Sequence, residues 1–324
     1  MYKVCCHQFG LPATLTQVQV DTPAPEANEA LVEISAAGVG FVDGLMVQGL
    51  YQVKPPLPYY PGSEFAGTVR AVGAKVTDCS PGDRVMGLAS SGCFADALTI
   101  DASGLIKLPA ALDDATAAGF FINYATALYG LRDCGDLRPG ETLLILGAAG
   151  GVGSAAISVA KAMGAYVIAA ASTANKRAAA LAFGADDVID YSQVGWRDTL
   201  KAMTPAAGLN MVYDPVGGDV AEPAFRSLSP GGRYLVVGFA SGTIAKLPLN
   251  LPLLKRSALI GVDWGGEYRA NPAINQALMS TLMAWVEQGK LKPAKVVTKP
   301  MAEFREGLTA QLAGEIVGKL VLEN

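Results

Sequence analysis

The chain has 324 residues, 51% of them hydrophobic and 17% charged, with 37 glycines, a size that suits about two domains of a compact globular protein. A formal net charge of −4 and a pI near 5.2 exclude the electrostatic footprint of a nucleic-acid or anionic-membrane binder. One histidine and five cysteines, none in a C-x-x-C pair, leave little room for Ser-His-Asp or Cys-His catalysis or for a cysteine-rich metal lobe.

Taken in chain order, the N-terminal segment MYKVCCHQFG lacks the apolar core of a signal peptide, so a cytoplasmic protein with free thiols is expected. Cys5 and Cys6 alternate along an apparent first strand, and His7 is expected to be packed or solvated rather than catalytic. Up to about residue 120 the chain reads as short strands. YKVCCHQF, EALVEISAAGV, EFAGTVRAVG, DRVMGLA, CFADALTI and LIKLP are separated by Gly, Pro and Asp clusters. This grammar predicts a barrel-like, mostly β domain.

From about 140 the rhythm changes. LLIL (143–146), YVIAA (166–170), DVID (187–190), NMVYD (210–214), RYLVV (233–237) and ALIGV (258–262) recur as strand-like runs. The helical segments VGSAAISVAKAM and ANKRAAALAFG join the first of them, which predicts an α/β domain with a doubly wound parallel sheet. The charge-free run at 142–160 approaches membrane-spanning length, but GAAGGVG interrupts it and its two flanks differ in period, so no span is expected. After 265 come two helical patterns and a closing strand, GKLVLEN, which are expected to return to the first domain.

GAAGGVG, residues 147–153, follows a strand and opens a helix. That is the setting of a dinucleotide-binding turn, where glycines permit close backbone approach and the helix N-terminus faces a pyrophosphate. Against strict G-x-G-x-x-G spacing the match is Ala148, Gly150 and Gly153, so the first position departs. About twenty residues further on, where a carboxylate commonly holds the ribose 2′-OH, residues 171–177 read ASTANKR. Ser172 and Thr173 can hydrogen-bond, and Lys176 and Arg177 add positive charge. In the plainer reading Thr173 caps a helix and both cations are solvated. Yet cations in a first helical turn oppose its macrodipole, and a capping box would place Glu or Gln at 176. The local preference is broken in the direction a phosphate would reward, so NADPH is expected over NADH.

GLYQVKPPLPYYPGSEFAGTVRAVG (49–73), PGDRV (81–85), GAAGGVGSAAISVAKAMGAYVIA, GADDVIDY (184–191), VYDPVGGD (212–219), PGGRYLVVGFASG (230–242) and GKLVL (318–322) together cover nearly the whole chain. In these motifs it resembles the zinc-independent, zeta-crystallin-like quinone oxidoreductases of the medium-chain dehydrogenase/reductase superfamily. The resemblance implies a GroES-like, mostly-β catalytic domain (1–122 and 265–324) and a Rossmann NADPH-binding domain (123–264). It also implies a homodimer, with the 256–263 edge strand as the contact. Zinc-dependent relatives carry a Cys ligand where this chain has Gly40 and a His where it has Ser63, and their four-cysteine lobe is missing, so no metal is expected. Asp43 and Glu64 are then expected to be structural.

The resemblance further implies site residues. Tyr51 matches a tyrosine of the substrate cleft, while Gly40 and Leu45 replace a polar Asn and a second tyrosine found in some members. Asn123 and Tyr124 lie on the crossing segment beside the nicotinamide, where one of them would supply the missing polar group. For the cofactor, Thr126 matches a nicotinamide-ribose position, and Gly150, Gly151 and Val152 match the pyrophosphate turn. Ser172, Lys176, Arg177 and Tyr191 fall on the adenosine side. Gly238, Phe239 and Ala240, with Trp264, fall on the nicotinamide side, and Lys319 close to the cofactor. Ordinary apolar packing is the competing role for Phe239 and Trp264. The implied reaction passes a hydride from NADPH to quinones, small electron-poor acceptors that need no Lewis acid. The alternative acceptors are conjugated C=C bonds in an enal, enone or acryloyl-type thioester. A third reading, an NADPH-binding structural or RNA-binding protein, has the acidic pI and the lack of basic-aromatic clusters against it.

Overall fold

Short runs that alternate apolar with polar residues, stopped by Gly and Pro, become strands wherever one face can be covered. In the computed structural model, which describes residues 1–204, 206 and 208–324, the first part of the chain forms β1 (Tyr2–Cys5), β2 (Thr16–Gln19) and β3 (Glu29–Val39). α1 (Phe41–Val47), β4 (Glu64–Val72), β5 (Arg84–Leu88), β6 (Ala97–Asp101), β7 (Ile106–Lys107) and α2 (Asp114–Ala118) follow. α3 (Phe121–Leu128) runs into a π-helical stretch at Tyr129–Cys134.

The middle of the chain alternates strands and helices. In order these are β8 (Thr142–Ile145), α4 (Gly151–Ala162), β9 (Tyr166–Ala170), α5 (Ala174–Ala182), β10 (Asp187–Ile189), α6 (Trp196–Met203) and β11 (Leu209–Asp214). Then come α7 (Ala221–Arg226), β12 (Leu228–Val236), α8 (Asn250–Lys255), β13 (Ala258–Gly261), α9 (Trp264–Ala270) and α10 (Ala273–Glu287). β14 (Val296–Pro300), α11 (Phe304–Leu312) and β15 (Lys319–Glu323) close the chain.

Two compact units result, Met1–Ile122 with Lys295–Asn324, and Asn123–Ala294. In the first, a sheet of order β14-β15-β3-β4-β5-β7, with β6 on β3, covers a core that includes Val32, Ile34, Phe65, Phe94, Leu308 and Leu320. Cys5 and Cys6 are both buried there and His7 is exposed, so the alternation expected of the two cysteines does not separate a wet face from a dry one.

In the second unit all six strands are parallel, in the order β10-β9-β8-β11-β12-β13. Numbered within the unit this is 3-2-1-4-5-6, the doubly wound order, with its switch point between β8 and β11. The central strands β8, β9 and β11, buried on both faces, are nearly continuous apolar runs, as a parallel sheet requires, while the edge strand β13 is largely exposed. No described helix is long and apolar enough to cross a membrane. The run at 142–160 divides instead into β8, the glycine turn and α4.

The return to the first unit comes at Lys295, not at 265 as the sequence suggests. α9 and α10 are held by the second unit's own groups. Trp264 Nε1 donates to Asn275 Oδ1 (3.1 Å), Arg132 Nη1 to Thr281 Oγ1 (3.4 Å), and Ala294 N to Tyr124 Oη (2.8 Å). Leu278, Met279 and Leu282 are buried with them.

Candidate active site

The glycine turn sits at the C-terminal end of β8. Gly147 has φ +58°, so the left-handed conformation that a tight turn needs falls one residue before the position that departs from the fingerprint, and Ala148 is no defect. A Cβ on Gly153 would lie 2.4 Å from Gly147 O and 2.7 Å from Ala148 Cα, both backbone, so α4 packs against the turn only without a side chain there. Gly150 differs: a Cβ there would meet only Gly147 O, at 3.5 Å. It is the N-cap of α4, it offers no capping side chain, and the first turn of α4 carries no acid. The N–H groups of a first helical turn have no partner within the helix. Gly151 and Val152 therefore lie where the amide donors and the positive end of the helix dipole gather, a setting suited to an anion.

At the neighbouring strand ends the expected adenosine-side residues come together. Thr173 caps α5, its Oγ1 accepting from Lys176 N at 3.3 Å, so the plainer reading of that residue holds. Lys176 and Arg177 follow in the first turn. Ser172 lies against the Tyr191 hydroxyl, and burial pushes the tyrosine's pKa up. Arg177 is not free, however. Its Nη1 lies 2.8 Å from Asp190 Oδ2 and donates to Ala171 O at 3.0 Å. Just past the end of the third strand, a carboxylate thus pairs with the cation of the second strand's helix.

On the other side of the switch point, the turn after β11 and the turn after β12 interlock. Asp214 is buried and accepts from Val216 N (2.7 Å), Gly217 N (2.9 Å) and Tyr234 Oη (2.5 Å). Gly238 N donates to Asp214 O (3.2 Å) and Ala240 N to Pro215 O (3.0 Å), leaving Phe239 half-exposed between them. Trp264, placed near the cofactor by the resemblance, is buried with its N–H given to Asn275 and its ring stacked on Tyr268, so packing is the role its contacts describe.

Asn123 and Tyr124 are buried on α3, and Thr126 is half-buried one turn on. The Tyr124 hydroxyl accepts from Ala294 N and lies against Ser158 of α4. Burial pushes its pKa up to about 12.

In the first unit, Tyr51 is half-buried on the segment after α1. Nearby positions that bind zinc in zinc-dependent relatives belong to a self-contained polar cluster. Asp43 is buried, its Oδ2 accepting from Gly40 N (2.7 Å) and its Oδ1 from Ser63 Oγ (3.1 Å). Burial raises its pKa to about 6, against the lowering effects of the Gly40 amide, Lys319 and Ser63. Glu64 Oε2 accepts from Ile122 N (3.0 Å), and Glu64 Oε1 lies 2.5 Å from Lys319 Nζ, an ion pair off the line of a hydrogen bond. The two side chains are 1% and 8% exposed. Lys319, expected close to the cofactor, is thus committed to Glu64, with its stem over Gly119. Among the described residues no three His, Cys, Asp or Glu side chains converge as metal ligands.

Sequence reasoning missed Asp190 and Asp214. Both end parallel strands on the carboxyl side, where ligands of such sheets bind, and that position was the available signal.

Two family models match the chain, the alcohol dehydrogenase GroES-like domain over residues 26–110 and the zinc-binding dehydrogenase domain over 151–281. The quinone oxidoreductase-like protein 2 of Rattus norvegicus is 34% identical over 318 residues, covering 98% of this chain and 90% of that protein. The Escherichia coli quinone oxidoreductase, solved with NADPH, superposes with a TM-score of 0.90 at 30% identity over the full length of both chains. The CurK enoyl reductase superposes with a TM-score of 0.89 at 25% identity, over 99% of this chain and 98% of its own. The chain belongs to the quinone oxidoreductase branch of the medium-chain dehydrogenase/reductase superfamily.

Proposed function

We propose that the protein is a zinc-independent oxidoreductase that uses NADPH to reduce quinones. The cofactor fits the second unit. The open face of Gly150 and the uncapped start of α4 accept a pyrophosphate, and Ser172, Lys176, Arg177 and Tyr191 line the end of the sheet where an adenosine ribose belongs. NADPH is also the cofactor named with the E. coli structure. When bound, it supplies a hydride from its nicotinamide ring.

The observation that carries the choice of acceptor is the Glu64–Lys319 pair with its neighbours. A catalytic zinc needs about three protein ligands. Gly40 and Ser63 do not provide the first two, and a buried ammonium already neutralises Glu64. The donor set does not fit the metal. Without a Lewis acid to polarise a carbonyl, acceptors that are already electron-poor are favoured. The work left to the chain is orientation and exclusion of water, with Tyr51 and Asn123 as the polar groups proposed for acceptor contact. Among the described residues β13 has a strand partner on one side only and exposes Leu259, and it is proposed as the contact of a homodimer.

Reduction of a conjugated C=C bond is the second reading, supported by the likeness to the CurK enoyl reductase. The test is NADPH oxidation on 1,4-benzoquinone, 1,4-naphthoquinone, an enal, an enone and acryloyl-CoA under matched conditions. Preference for the quinones supports the proposal. Turnover confined to the alkenes assigns the second reading. Tight NADPH binding without turnover on any acceptor would make the chain a binding protein.

A further inference from the structure

The Arg177–Asp190 pair has a consequence for cofactor choice. Arg177, in the first turn of α5, spans to the end of β10, and both side chains are largely shielded, at 22% and 20% exposure. Asp190 is itself fixed. Its Oδ1 accepts from Ser192 N (3.0 Å) and Ser192 Oγ (2.6 Å), and its Oδ2 accepts from Gln193 Nε2 (3.4 Å). The Ser192 hydroxyl, foremost, holds its carboxyl below the usual range, so it is an anion at neutral pH. The site proposed for a 2′-phosphate therefore contains a built-in negative charge, bonded to one of the two cations that would attract the phosphate.

We infer that Asp190 is a specificity-determining residue: it positions Arg177 and offsets its charge, so that the pair, not Arg177 alone, sets the preference for NADPH over NADH. This rests on the assignment of Ser172, Lys176 and Arg177 to the 2′-phosphate. A guanidinium has five donors in a rigid fork. Nη1 alone serves both Asp190 and Ala171 O, which leaves the other donors of the fork for a phosphate, but the field they carry is partly cancelled. A ribose 2′-OH, uncharged, is indifferent to that cancellation. Removing the carboxylate must therefore tighten NADPH and leave NADH nearly unchanged.

The experiment is a titration of the full chain with NADPH and with NADH, followed by cofactor fluorescence and by quenching of tryptophan, for wild type, Asp190→Asn, Asp190→Ser and Arg177→Gln. The expected result is that both Asp190 variants bind NADPH about fivefold more tightly, a change of about 1 kcal/mol, with NADH within about twofold. The gain should shrink in high salt. Arg177→Gln should weaken NADPH alone. Melting by circular dichroism guards against a folding defect, and the serine variant repeats the sign without the amide. Weaker NADPH binding in both Asp190 variants, comparable to Arg177→Gln, would overturn the inference and make Asp190 a scaffold that the phosphate needs. If Arg177→Gln also leaves NADPH binding untouched, the phosphate site itself is misplaced, and the inference falls with the reading beneath it.

Discussion

Asp43 shows how one buried carboxyl ties this fold to pH. Its pKa is raised to about 6 in the folded chain, against about 3.9 unfolded. The folded state therefore binds more protons between these values, and stability falls as pH rises from about 4 to about 6. The difference amounts to about 3 kcal/mol. Asp43→Asn keeps an acceptor for Gly40 N and a partner for Ser63 Oγ but cannot ionise. Denaturant unfolding at pH 4 and pH 7.5 should show wild type losing about that much relative to the variant; equal pH dependence would contradict the account. Lys319 gives a second test. Lys319→Met strands a buried Glu64 carboxylate and should cost about 3–5 kcal/mol, and adding Glu64→Gln should recover much of it, because what destabilises is the unpaired charge. Both residues could be seen in the sequence. Their pairing could not, because most of the chain lies between them and only the return of β15 to β3 brings them together.

Elements were more legible than contacts. Each of the six strand-like runs after residue 140 became a strand of the parallel sheet, the central ones because burial on both faces favours a continuous apolar run. The glycine turn was recognisable despite Ala148, since strand, turn and helix had to follow one another. The Arg177–Asp190 contact was hidden, because DVID reads as strand to its last residue and the register of β10 against β9 decides which side chains meet. β11 supplies a further prediction. Among the described residues, the Tyr213 hydroxyl is buried without a hydrogen-bond partner, a state that costs about 1–3 kcal/mol. Tyr213→Phe removes the hydroxyl and keeps the ring. It should raise the unfolding free energy by about 1 kcal/mol; a loss of stability in denaturant unfolding would show that the hydroxyl is satisfied in solution.

At the scale of the molecule, the two-domain plan was legible from the change of grammar near residue 140, but the point of return was not. α10 reads as an amphipathic helix that could cover either unit, and contacts such as the Arg132–Thr281, Trp264–Asn275 and Ala294–Tyr124 bonds decide it. The proposed dimer is tested at this scale. A free edge strand with an exposed leucine invites pairing, and Leu259 is 48% exposed. Leu259→Arg should convert a dimer into a monomer in light scattering after size exclusion, without loss of secondary structure. An unchanged mass would place the contact elsewhere. The measurement that bears most directly on the proposed function is steady-state NADPH oxidation with 1,4-naphthoquinone by protein stripped of metal with EDTA, run beside NADH. Full turnover after stripping, with NADPH preferred, is the predicted result. Activity lost with the metal and restored by zinc would contradict it.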